Sequence, residues 1–169
     1  MNHRLLIQST RIFLDVIVVT LVVLQHLIQE EFFNWGLYAT FYAIAAASAL
    51  LHLLPLFSLD RFFDKPKLVG LTFGIDVILI SLLMGASGLS PSLFLFLYLV
   101  TIILTGLVFQ LRGALLAAAL SSICFTVASW FGPEVKAMSF LFLLILNNLA
   151  FFAVAWLAGY LSDQLNLFQ

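Results

Sequence analysis

Asp76 stands inside a run otherwise fit for lipid, "TFGIDVILISLLMGASGLSPS", Thr72 to Ser92. A carboxylate at membrane depth is costly, and it marks a functional candidate by default. The chemistry it could do is proton or ion binding, or a contact to hydroxyl and amide donors on neighbouring helices. Desolvation favours the protonated form of a carboxyl in such a place. No lysine or arginine is expected at depth as its counter-ion. Asn147 and Asn148 fall near the middle of the last apolar run. Adjacent helical residues point about 100° apart, so the two amides should bond to different neighbours. Asp15 follows Arg11 by one turn, which predicts a local pair near the headgroups. His52 and Pro55 close the second run, where the proline should kink the helix.

What the chain lacks narrows the chemistry further. The three histidines have no ligand neighbour at useful spacing, so no metal site is expected. There is no phosphate-binding glycine loop, nucleophile–base pair or catalytic carboxylate pair, so neither catalytic residues nor a cofactor are expected. Cys124 is the only cysteine, lies in an apolar run and reads as a small packing residue.

The elements that must position these residues are membrane helices. The 169 residues are 64% hydrophobic and only 9% charged, an excess that one small soluble core cannot hide. A formal net charge of -1 gives no sign of nucleic-acid binding. Six spans are predicted: Ile12 to Ile28, Phe33 to Phe57, Leu68 to Ser87, Leu93 to Leu111, Ala114 to Phe131 and Met138 to Leu161. They are too long and too continuously apolar for barrel strands. The fold class is therefore all-α, a six-helix transmembrane bundle forming a single domain over residues 1–169 with no soluble domain. The basic, apolar start lacks a small-residue cleavage site and reads as a retained first helix. Only Arg112 and Gly113 separate the fourth and fifth spans, which demands a tight helical hairpin there.

With both termini in the cytoplasm, Arg4, Arg11, Arg61, Lys65, Lys67 and Arg112 lie inside and only Lys136 lies outside, accounting for all 7 basic residues. Trp35 and Trp130 then fall near the outer boundary and Trp156 near the inner one. Short external loops leave little for a soluble ligand to grip. Small residues recur four apart at Gly70 and Gly74, at Ala39, Ala43 and Ala47, at Ala114, Ala118 and Ser122, and at Ala155 and Gly159. That spacing suits close helix packing within a bundle or between copies.

"GIDVILISLLMGASGLSPSLFLFLYLV", Gly74 to Val100, resembles the membrane region of type IV pilin-sensing histidine kinases, the PilS type. Asp76 matches that family's aspartate. Met84, Ala86, Ser87 and Gly88 match its turn segment, and Ser90 and Ser92 its serines. "LRGALLAAALSS" resembles its fifth helix, and "AWLAGYLSDQL" its last. Gly85 stands where the family often has tyrosine, Leu89 where a second glycine is usual, and Pro91 is an added stiffener of the turn. The resemblance implies a sensor input domain of a two-component system in the bacterial inner membrane. It implies a homodimer within membrane lipid, whose partner is an intramembrane pilin-like helix.

Signal or partner contacts would then fall to Asp76, Ser87, Gly88, Ser90, Pro91, Asn147 and Asn148, and helix packing to Gly70, Gly74, Ala155 and Gly159. Leu157, Leu161, Leu165 and Phe168 would extend as an apolar stripe towards a dimeric coiled coil. Such kinases continue into cytoplasmic kinase domains, and this chain would be their sensor region alone. The rival reading is a substrate-binding membrane subunit resembling those of vitamin transporters, with Asp76, Asn147 and Asn148 lining a pocket. A third is a membrane scaffold.

Overall fold

A computed structural model describes residues 3–28, 35–87, 91–130 and 138–167. Every element among them is helical. Helix α1 is His3–Ile28 and α2 is Trp35–Leu53. A 3-10 turn follows at Leu54–Ser58, then a short α3 at Leu59–Phe63. Helix α4 is Pro66–Ser87, α5 is Pro91–Trp130 and α6 is Met138–Leu167. Contacts divide the chain into two units, Met1–Thr72 and Phe73–Gln169, with the boundary inside α4.

In the first unit, α1 packs on α2, on the 3-10 turn and on α3. Its inward face carries Ile7, Gln8, Arg11 and Val18, all buried, while Leu5, Leu6, Phe13 and Val16 point outward and are exposed. This inverts the soluble rule of apolar in and polar out. In lipid the outward face must be apolar, and polar groups must find partners inside. Helix α2 answers with Phe41, Ala45, Ser48 and His52, all buried and spaced four, three and four apart. The stripe Ala39, Ala43 and Ala47 lies on the exposed side of α2 instead. Helix α2 ends two residues before Pro55, the second residue of the 3-10 turn. The predicted kink is thus a change of helix type.

In the second unit, α5 is two helices in one run. Gln110 has φ 60 and ψ -158, which is not helical. The rings of Tyr98 and Phe125 lie 5.7 Å apart. In one straight helix, that sequence separation would place them about 40 Å apart. The chain therefore reverses at Gln110, giving a first arm (91–109) and a second arm (111–130). The hairpin expected at Arg112 and Gly113 is real, but its reversal comes two residues earlier. Among the described residues, four helices are long and apolar enough to cross a membrane, and one of them contains both arms of α5. The core of this unit is an aromatic triad. Tyr98 and Phe125 each meet Phe151 of α6, at 5.6 Å and 5.5 Å between ring centroids. The Tyr98 hydroxyl lies 2.6 Å from Ser81 Oγ, joining α4 to the triad.

Candidate functional site

The first unit holds a polar cluster between α1 and α2. Ser48 Oγ donates to Asp15 Oδ1 at 2.7 Å, and His52 Nδ1 lies 2.5 Å from Asp15 Oδ2. Asp15 thus reaches across to α2, to partners other than the Arg11 expected on its own helix. Gln8 Nε2 donates to the His52 carbonyl. The cause is local. In a 3-10 turn that carbonyl would look to residue 55, and Pro55 has no N–H to give. The Gln8 amide supplies the donor from another helix. Arg11 is 2% exposed, and its Nη1 donates to Thr72 Oγ1 at 3.4 Å. A buried arginine therefore does exist, against the expectation that none would lie at depth.

At the far edge of this unit Arg4 Nη1 lies 3.4 Å from Asp60 Oδ1 and 3.2 Å from Asp64 Oδ1. These groups are exposed, so they tie α1 to α3 only lightly.

Asp76 belongs to the second unit. It is 6% exposed and shares the buried face of α4 with Phe73, Val77, Ile80, Leu83 and Met84. A carboxylate buried on a helix of a membrane protein is a functional candidate by default. Ser87 is the last residue of α4 and Pro91 the first of α5. Gly88 and Ser90 lie outside the described residues.

Helix α6 brings a second polar element. Asn148 Nδ2 donates to Thr126 Oγ1 in the second arm of α5 at 3.0 Å. Asn147 is half-buried and makes no hydrogen bond among the described residues, so only one of the adjacent amides finds a neighbour. The hydroxyls of Thr101 and Thr105 turn back to carbonyls one turn earlier, at 2.9 Å and 2.7 Å, satisfying themselves within their own helix.

The packing glycines differ. A Cβ at Gly74 would meet Leu120 at 3.9 Å, an ordinary contact, so this position does not need glycine for space. A Cβ at Gly159 would stand 2.5 Å from Leu111 Cα, so there glycine is required. Ala155 is fully buried one turn before it. Gly70 is half-buried on α4. Exposed Leu157, Leu161 and Leu165 do recur along one side of α6, while Phe168 lies outside the described residues. Sequence reasoning missed Gln8 and Ser48. Ser48 is a lone polar residue in an apolar run, and the rule that flagged Asn148 applies to it, whereas Gln8 opens the polar stretch QSTR and carries no such signal.

Among described residues, no group of histidine, cysteine and acidic side chains could hold a metal ion. No curated protein and no solved structure matches the chain. A family model, the PilS-like transmembrane domain, matches residues 2–168. The chain belongs to the PilS-like transmembrane domain family, a six-span membrane fold.

Proposed function

We propose that this chain is the membrane input domain of a sensor histidine kinase in the bacterial inner membrane. The observation that carries the reading is the family match, which runs along nearly the whole sequence. Buried polar contacts between helices support it, because such contacts can re-pair when an intramembrane partner binds. In this reading both termini face the cytoplasm and two copies pair. A pilin-like transmembrane helix engages the bundle, and Asp76 and Asn148 sit in the contacts that respond. The kinase reaction belongs to cytoplasmic domains joined to α6.

The test begins with the native protein. An antibody to this region should capture from bacterial membranes a polypeptide well above 18.8 kDa that incorporates phosphate from ATP on histidine. Asp76→Asn introduced into that protein should change the phosphorylation level at least several-fold, with no effect on small-molecule uptake. A band at 18.8 kDa carrying no phosphate would overturn the sensor-kinase reading. Normal phosphorylation in the variant would remove Asp76 from the signalling contact.

A further inference from the structure

The inward face of α6 runs through Phe140, Leu144, Asn148, Phe151, Ala155, Gly159 and Ser162. The steps are four, four, three, four, four and three, an eleven-residue repeat. Such a repeat keeps one face in line along a nearly straight helix. Large residues fill the Met138 end of this face and small ones the Leu167 end. The helix therefore converges on α5 towards Gly159.

At that end the fit is built with some strain. Gln110 adopts φ 60 and ψ -158, a region that only glycine enters freely, at a cost of about 1–3 kcal/mol. A Cβ on Gly113 would stand 2.2 Å from Phe109 Cβ, and one on Gly106 would stand 3.4 Å from both Ala158 Cβ and the Gly159 nitrogen. Four positions (Gly106, Gly113, Gly159 and the strained Gln110) thus let the Leu111 backbone touch α6.

Towards the other end the seam is loosely satisfied. Asn148 makes its bond to Thr126, but Asn148 Oδ1 and the Oγ atoms of Ser122 and Ser129 are buried without a partner among the described residues. Only 22% of the apolar window of α6 is buried, against 44% for that of α5. One end is fixed by backbone contact, and the rest is held on a narrow face by the Phe151 ring cluster and, beyond it, the Asn148–Thr126 bond.

We propose that α6 works as a lever, with its fulcrum at Gly159 against Leu111 and the Asn148–Thr126 bond as the catch on its long arm. The proposal rests on the sensor reading and supplies its mechanical step. Residues 138–158 form an arm of about 30 Å, and the residues after 160 form a short arm. Releasing the catch lets the long arm swing away from α5, and the short arm moves the opposite way.

The test is pairwise spin-label distances in the chain reconstituted in bilayers, with Cys124→Ala as background. Exposed positions report each part: Phe142 with Val127 for the long arm, Leu165 with Leu107 for the short arm, Tyr160 with Leu116 near the fulcrum. Asn148→Leu should lengthen the first distance, shorten the second by a smaller amount and leave the third unchanged. Asn148→Gln should restore the starting values. Shifts of the same sense in both arms, or no shift at all, would overturn the lever. This readout needs no kinase, so its failure leaves the sensor reading standing, and loss of that reading leaves the lever testable.

Discussion

Asp15 shows how a carboxylate in an apolar helix is held. Its two oxygens meet Ser48 and His52, both from α2. Replacing it by leucine strips both partners at once, while asparagine keeps one acceptor oxygen. Asp15→Leu should therefore lower stability by about 1–2 kcal/mol and Asp15→Asn by less than half of that. Reversible unfolding in mixed micelles would show it, and equal losses would mean that Asp15 acts only by its charge. That Asp76 stands out was legible, since an ionisable residue interrupts an apolar run, and the structure buries it. The burial of Arg11 was not. Arginines near a span's end ordinarily extend to the headgroups, and only the inward face of α1 shows that this one does not.

Helix α5 illustrates the same contrast at the scale of an element. The break between its arms was visible in the sequence, because Arg112 and Gly113 interrupt two apolar runs. Its position was misplaced, because glycine is the usual residue at a reversal and Gln110 is not. The side chain of Gln110 is exposed, so nothing in the core demands it. Gln110→Gly should relieve the backbone cost and stabilise the hairpin by about 1 kcal/mol or more. A raised midpoint of thermal unfolding is the expected result; a lowered one would mean that the glutamine side chain itself holds the turn. Of the small-residue stripes, Ala155 is buried and Gly159 lies against Leu111, while Ala39, Ala43 and Ala47 face outward. Spacing alone could not separate them. What decides is which neighbouring face has a groove to offer.

For the whole molecule, an all-helical, loop-poor membrane fold follows from composition and run length, and the family match agrees. The partition of polar groups follows from lipid as solvent. Outward faces are nearly all apolar, and the buried polar residues sit where a helix faces another helix. The inverted face of α1 has a consequence for how the protein is made. This helix carries Arg4, Arg11 and Asp15, the last of them inside the predicted first span. On insertion scales a central arginine or aspartate costs about 2.5–3.5 kcal/mol. In α2, however, Ser48 and His52 wait to take up Asp15. The two helices should then leave the translocon as a hairpin, with α2 acting as an intramolecular chaperone for α1. In a glycosylation-mapped insertion assay α1 alone should insert poorly, α1 followed by α2 should insert well, and combined removal of Ser48 and His52 should return α1 to poor insertion.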